Sequence, residues 1–207
     1  MKIQIALVAS MVGTLFASTA FADDLGVAAS AKPKASLGAQ IDLLPTGTLT
    51  TDGAGPPIDG DYDAAFAFGI GVNFDYDLTP NISIGLAPRV IFNVIADAAS
   101  DDADSDKEID LRARVRAHFP IADKLEAFGF LAPGYSIIVL PSDFDIDNPA
   151  GLVVAFGAGL SYDVSDKLYL TGEIGYQLGF QSVDVGGQSI DNTTDYLHFG
   201  FGAGTRF

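Results

Sequence analysis

Apolar and polar residues alternate along most of the chain after residue 35, and turn-forming residues separate the alternating segments. In the segment 64–76 nearly every second residue is bulky and apolar, whereas the residues between are small or polar. A period of two is that of a β-strand with one apolar and one polar face. The pattern predicts eight strands, at 36–44, 64–76, 82–94, 110–119, 126–139, 152–162, 168–181 and 197–207. The fifth is the least regular, and Pro133 predicts a bulge that shifts its register.

The connections between these segments alternate in length. Those after the even-numbered strands are short, "DLTPN", "PIADK" and "DVSDK", whereas those after the odd-numbered strands are longer and rich in Gly, Pro, Asp and Ser. Short turns at one end and long loops at the other are typical of an outer-membrane barrel, with the turns on the periplasmic side. The sequence therefore predicts an all-β fold, an eight-stranded antiparallel up-and-down transmembrane β-barrel.

The first residues have the features of an export signal. Lys2 precedes an apolar stretch, and Ala20, Phe21 and Ala22 form an A-x-A cleavage site, so we interpret 1–22 as a cleaved signal peptide. The alternative is a membrane anchor, but the apolar stretch is shorter than the roughly 20 residues that cross a bilayer as a helix. We expect 23–35 to be a flexible periplasmic lead-in and 36–207 to be the barrel domain.

The composition narrows the class further. The chain has no cysteine, 48% hydrophobic residues and 23 glycines, which favours many strands over a disulfide-linked secreted domain or a helical membrane protein. Its formal net charge of -16, and -17 without the signal peptide and Lys2, would repel a polyanion, so nucleic acid is not an expected partner.

Three arginines nevertheless occupy alternate positions in "DLRARVRAHF". If Arg112, Arg114 and Arg116 faced lipid at mid-depth, each would cost about 2–4 kcal/mol, so this polar face must point into the lumen. Asp42 and Asp75 are available there as counter-charges. The predicted luminal network comprises Arg89, Asp110, Arg112, Arg114, Arg116, His118, Glu173, Gln177 and Arg206.

Two acidic segments have the alternating carboxylates of a calcium loop. Neither has the Gly at position six or the Glu at position twelve that an EF-hand requires, so both are interpreted as solvated loops, with weak divalent-cation binding, bridging to lipopolysaccharide phosphates, as the alternative. We expect no defined metal site and no cofactor. The weak candidates are Asp102, Asp104, Asp106, Asp143, Asp145 and Asp147.

The end of the chain, "YLHFGFGAGTRF", carries a family resemblance. It resembles the terminal strand of small eight-stranded outer-membrane barrels of the OmpA-transmembrane and OmpX type, in which the barrel-assembly machinery reads an aromatic signal, here Phe199, Phe201 and Phe207. The resemblance implies export by the general secretory route to the outer membrane of a Gram-negative bacterium, contact with lipids and lipopolysaccharide, and a monomer.

The chain departs from that family in two ways. It has no tryptophan, so an aromatic girdle at the lower rim would use Tyr76, Phe119, Tyr162 and Phe207. No peptidoglycan-binding domain is expected after Phe207. Barrels of this type that deacylate lipid A use a His-x-Ser pair, which neither His118 nor His198 forms, so we do not expect an enzyme.

Three functions remain open on the sequence. The leading one is a structural or surface-interaction protein with acidic extracellular loops, which could bind a ligand, and a charged, largely plugged lumen. The second is a narrow porin-like channel, since the many glycines of the polar faces could leave a water path. The third is a soluble lipocalin-like barrel, which would turn its bulky apolar faces inward around a ligand.

Overall fold

A computed structural model describes residues 35–53, 60–63, 66–92, 107–140 and 147–207, with the backbone alone for 62 and 63. The predicted signal peptide 1–22, and all but the last residue of the 23–35 lead-in, lie outside these ranges. No helix among the described residues is long and apolar enough to cross a membrane.

The described chain forms nine β-strands, and every pair of neighbouring strands is antiparallel. They are β1 (Ala35–Asp52), β2 (Gly60–Asp63), β3 (Ala67–Thr79), β4 (Ile82–Phe92), β5 (Lys107–Ala122), β6 (Leu125–Val139), β7 (Ala150–Asp163), β8 (Leu168–Val185) and β9 (Gln188–Arg206).

Eight of these strands close into a ring, because β1 pairs with β3 on one side and with β9 on the other. The ninth, β2, is a four-residue strand that pairs with β1 beyond the β1–β3 contact. At one end of the ring, which we call the turn end, short turns join β3 to β4, β5 to β6 and β7 to β8, and Ala35 meets Phe207. The opposite end is the loop end.

The prediction of a long loop between the last two strands is wrong. Residues that the sequence placed in a connection continue β8 and β9 into a hairpin, with Val183 opposite Ile190. Its turn is Gly186–Gly187, whose φ angles of 60° and 87° lie in the left-handed region that glycine adopts without steric cost. The Gly-Gly pair between alternating residues was the signal for this hairpin.

The first predicted strand is also longer than expected, since β1 runs to Asp52. Its register against β9 shifts between Leu43 and Thr46, next to Pro45, which has no N–H to donate. The shift changes the alternation, so that Leu49 and Thr51 are buried above this point.

The predicted register shift at Pro133 is wrong. The β5–β6 pairs Arg112–Gly134 and Val115–Leu131 on its two sides have the same register, and Pro133 itself lies opposite Val154 of β7. Pro133 is exposed on the outer face, where its missing N–H removes ladder pairing to β5 without inserting a residue.

Side chains alternate between the two faces of the ring, but the apolar side chains point outward and the polar ones inward, which is the reverse of a soluble protein. Large apolar residues are exposed on the outside, among them Ile41 at 57%, Leu111 at 60% and Phe201 at 59%. Charged and amide side chains fill the inside and are buried. Apolar side chains also occur inside, in two buried clusters. One contains Phe128 and Phe130 of β6, and the other contains Leu44, Ala67, Ile91 and Tyr196. This arrangement suits a lipid environment outside and a packed polar lumen within.

Candidate functional site: the interior network

The arginines of β4 and β5 lie inside the ring because they share the inward face of their strands. Arg89 of β4 and Arg112, Arg114 and Arg116 of β5 are each at most 6% exposed. Buried guanidinium groups require paired charges and hydrogen bonds, so their partners decide what the lumen can do. We call these four arginines and the side chains that bind them the interior network.

Arg89 is the hub of this network. Its guanidinium lies 3.3 Å from Asp42 Oδ2 of β1 and 2.9 Å from Asp110 Oδ2 of β5, and it also donates a hydrogen bond to Gln177 Oε1 of β8. In a ring of eight strands β4 and β8 are opposite each other. The Arg89–Gln177 contact therefore spans the lumen from wall to wall.

Gln177 extends the same connection to β5. Its Nε2 donates to Glu108 Oε1 at 3.1 Å, and its Oε1 accepts from Arg112 Nη1 at 3.5 Å. Arg112 has looser contacts, since its Nε is 3.5 Å from the Ala87 carbonyl oxygen and 4.0 Å from Asp110 Oδ2. These side chains form one polar layer across the middle of the ring.

A second layer lies nearer the turn end and centres on Asp75 of β3. Arg114 donates to both of its carboxylate oxygens, at 3.2 and 2.5 Å, and Arg116 Nη1 donates to Oδ2 at 3.2 Å. The guanidinium carbon of Arg116 also lies 3.7 Å from the centre of the Phe128 ring. Phe128 thus contributes a cation–π contact as well as volume to the packed interior.

We expect Arg114→Leu to lower the thermal unfolding temperature of the folded barrel. The change leaves one arginine on Asp75 instead of two, and an under-compensated buried carboxylate costs on the order of 1–3 kcal/mol. The measurement is the temperature at which the unboiled, faster-migrating form disappears from a detergent gel. An unchanged temperature would show that the Arg114–Asp75 pair does not stabilise the ring.

Two further predicted members, His118 and Arg206, lie at the turn end. His118 Nδ1 is 2.7 Å from Glu126 Oε1, and its Nε2 is 2.8 Å from Ser83 Oγ. Arg206 pairs with Asp163 on the neighbouring turn and is separate from the central layers.

Sequence reasoning missed several interior side chains as members of the network, among them Gln40, Glu108 and His198. Gln40 Nε2 donates to Asp42 Oδ1 at 2.6 Å and to Glu173 Oε1 at 2.7 Å, and His198 Nε2 is 3.6 Å from the same Glu173 oxygen. Gln40 and His198 already stood on predicted polar faces. Glu108 fell in a predicted loop, although it continues the alternation of Asp110 by two residues.

Long side chains occupy the space beside several glycines of the inner face. A Cβ atom at Gly175 would lie 2.4 Å from His198 Cε1, and one at Gly204 would lie 2.4 Å from the Tyr169 hydroxyl oxygen. At Gly200 a Cβ would lie 2.5 Å from Gln40 Nε2. Since real Cβ contacts are longer, long side chains from other strands already occupy the space that these glycines provide.

Small cavities lie in the turn-end half of the ring. Two small cavities, of about 10 and 30 Å³, share Arg116 and Tyr169 as lining residues. A cavity needs roughly 10–15 Å³ to hold one water, so the smaller has room for about one water and the larger for about two.

The outward-facing and loop residues of the prediction are distributed as follows. Tyr76, Tyr162 and Phe207 are exposed near the turn end, and Phe201 is exposed on β9. Phe119 and Phe199 are half-buried. Of the six weak metal candidates, Asp102, Asp104, Asp106, Asp143 and Asp145 lie outside the described residues, and Asp147 is exposed.

A closed antiparallel ring with an apolar outer face, a polar packed interior and short turns at one end defines a transmembrane β-barrel. The model of the outer membrane protein β-barrel domain family matches residues 7–207, so the chain belongs to that family. It is an outer-membrane protein of the kind found in Gram-negative bacteria, as its relation to small outer-membrane barrels predicted. The lipocalin alternative was wrong, because the bulky apolar faces point outward.

Solved structures show the same fold at low sequence identity. OprG of Pseudomonas aeruginosa has a TM-score of 0.58 at 14% identity, with 85% of this chain and 97% of that chain covered. Neisserial surface protein A has 0.51 at 12%, with 83% and 97% covered. Outer membrane protein W of E. coli has 0.50 at 19%, with 86% and 100% covered. A comparison with curated proteins finds no match.

Proposed function

We propose that this protein is a plugged outer-membrane barrel with a structural or surface-interaction role, and that it does not conduct solutes. The observation that carries the proposal is the Arg89–Gln177 contact, which joins opposite walls of the ring. The Asp75 layer lies between this contact and the turn end. A solute would have to break buried charge pairs in both layers, whereas an open pore keeps its charged groups on the wall around water.

On this proposal, the loop end is the part of the protein that binds a partner. There β1, β2, β8 and β9 continue beyond the other strands, so that Asp52 of β1 still pairs with Asp191 of β9. From Thr46 to Asp63 among the described residues, and from Val183 to Asp195, the extension contains acidic side chains and no lysine or arginine. A surface of threonine and aspartate favours a cationic or hydrogen-bonding partner. The acidic loops, with their weak divalent-cation candidates, would add to the same negative surface.

The turn end and the outer face supply the remaining partners. Outer-membrane barrels contact membrane lipids and lipopolysaccharide, and the exposed apolar side chains of this ring suit that contact. The aromatic residues at the end of β9, including Phe201 and Phe207, would serve as the signal for the barrel-assembly machinery. The chain would act as a monomer, because the ring leaves no long strand with a free edge.

Single-channel recording in a planar bilayer tests the plugged lumen. The full chain without 1–22 is refolded, and folding is confirmed by the difference in gel mobility between boiled and unboiled samples. A conducting porin in the same bilayer shows that the recording detects small pores. We expect no reproducible steps from the folded protein, because the cross-lumen pairs exclude hydrated ions.

Reproducible conductance steps from folded wild-type protein would overturn the proposal of a plugged lumen and favour the narrow porin-like channel. If the steps also grow when Arg114 is replaced by serine, the conducting path passes the Asp75 layer. If the folded protein gives no conductance steps, the result supports a rigid barrel that acts through interactions at its loop end.

A further inference from the structure

Three side chains from adjacent strands converge inside the ring on one side of the interior network. They are Asp42 of β1, Glu173 of β8 and His198 of β9, and their candidate ligand atoms lie within 4.8 Å of one another. Two carboxylates and an imidazole form a donor set that suits a borderline divalent cation such as Zn²⁺. Mg²⁺ and Ca²⁺ prefer oxygen ligands alone.

The Gln40 amide lies between the two carboxylates, where a cation would bridge them. Its Nε2 is 2.6 Å from Asp42 Oδ1 and 2.7 Å from Glu173 Oε1. Arg89 binds the other Asp42 oxygen, Oδ2, so Oδ1 would be available once the amide turns away. Gln40 Oε1 now accepts from Asn73 Nδ2 at 2.8 Å. Rotation of the Gln40 amide by half a turn, with a matching turn of the Asn73 amide, would present Gln40 Oε1 as a fourth donor, and amide oxygens are suitable ligands for divalent cations.

His198 is an independent indication of a missing ligand. It is 1% exposed, and its Nδ1 has no hydrogen-bond partner among the described residues. Its Nε2 faces Glu173 Oε1 from 3.6 Å, which is longer than an ordinary hydrogen bond. A buried imidazole in a polar lumen is stabilised by a hydrogen bond or a metal bond, and here neither nitrogen makes a short contact within the described structure.

The charge balance of the lumen also indicates a cation. Among the described residues the buried carboxyl groups outnumber the buried arginines, six to four. A divalent ion beside Asp42 and Glu173 would offset part of this excess of acidic groups. The carboxylates are Asp42, Asp75, Glu108, Asp110, Glu126 and Glu173, and the arginines are Arg89, Arg112, Arg114 and Arg116.

An ion could reach this cluster from the turn end. Gln40 and Glu173 both line the smaller of the two cavities, which shares Arg116 and Tyr169 with the larger cavity. Gly200 leaves the room that the cluster needs, since a Cβ there would lie 2.8 Å from Asp42 Oδ1 and 2.7 Å from Glu173 Cγ.

We propose that Asp42, Glu173 and His198, with Gln40 as a fourth donor, form a binding site for one Zn²⁺-like divalent cation inside the barrel. The site uses side chains of β8, β9 and β1, so the ion joins the last two strands to the first strand. Its ligands take no part in the loop-end surface, but Asp42 is shared with the layer that closes the lumen, because its other oxygen binds Arg89.

The test uses the tag-free chain without 1–22, refolded in detergent, with Co²⁺ as a spectroscopic probe and Zn²⁺ as its competitor. Millimolar Mg²⁺ is present throughout to occupy the acidic loops. We expect one Co²⁺ per folded chain, with visible absorption that Zn²⁺ removes, and no such signal from the heat-unfolded chain. His198→Gln should weaken the affinity by more than the roughly 10- to 100-fold that loss of an outer-shell partner costs.

His118→Gln is the matched control, because His118 is the other buried histidine and its contacts are with Glu126 and Ser83. Both variants keep every acidic loop residue, so loop binding cannot produce a difference between them. If His198→Gln fails to fold, Glu173→Gln replaces it with the same expected loss. Equal affinity in wild-type and site variants, or no binding in excess of the unfolded chain, would overturn the site.

Discussion

Arg89→Met is expected to lower the free energy of unfolding by about 3–5 kcal/mol, since it leaves buried charges without their partner. Asp42 and Asp110 both bind the Arg89 guanidinium and are themselves almost fully buried. Methionine keeps most of the volume of the side chain, so the loss reports on charge and hydrogen bonding more than on a cavity. Urea titration of the barrel folded in lipid vesicles gives the free energy.

Two controls separate the loss of the Arg89 contacts with Asp42 and Asp110 from a general effect of removing a cation. Arg206→Met removes an arginine whose partner Asp163 is partly exposed, so its cost should stay near or below about 1 kcal/mol. The double variant Arg89→Met with Asp110→Asn should recover part of the loss, because it removes one stranded carboxylate. If Arg89→Met is as stable as the wild type, the contacts of Arg89 do not stabilise the folded barrel.

Gly175→Val is expected to destabilise the barrel by about 3 kcal/mol, the upper end of the cost of overpacking, or to prevent folding. Its Cβ would lie 2.4 Å from His198 Cε1 and 2.9 Å from the Phe156 carbonyl oxygen, inside a packed interior. The readout is the fraction of unboiled protein that keeps the compact gel mobility after refolding, followed by urea titration of that fraction.

Gly172→Val on the same strand is the matched control. A Cβ at Gly172 meets no atom within 4 Å, and the residue lies on the outward face between Leu170 and Ile174. Valine also favours strands, so this variant should be within about 0.5 kcal/mol of wild type or more stable. Equal effects of the two substitutions would mean that the inner glycines are not filled by other side chains.

The period of two made most of the ring predictable from the sequence. It placed the bulky side chains of the segment 64–76 outside and the arginines of β5 inside, because a charged side chain costs too much against lipid. The alternating lengths of the connections predicted the closed up-and-down order. Both are local signals that a single chain carries.

The partners inside the ring were not predictable in the same way. The Arg89–Gln177 contact joins residues that are 88 positions apart, and it depends on strand stagger, which alternation does not specify. The inward position of Phe128 and Phe130 was not predictable, because β6 is apolar on both faces and its pattern does not indicate which face points into the ring. The glycines were ambiguous, since small residues suit both an open path and close packing of long neighbours.

The junction of β1 with β9 has a consequence for how the protein persists once folded. Because each of the eight long strands is hydrogen-bonded to a neighbour on both sides, no strand can detach without breaking two ladders at once. Local fraying, which in an open sheet starts at an edge strand, has no starting point in the ring. Amide hydrogen exchange should therefore be slow where a strand is paired on both sides, and faster in the hairpin that β8 and β9 form beyond Ser182. We expect the lifetime of the folded state to be set by a single, concerted opening of the ring.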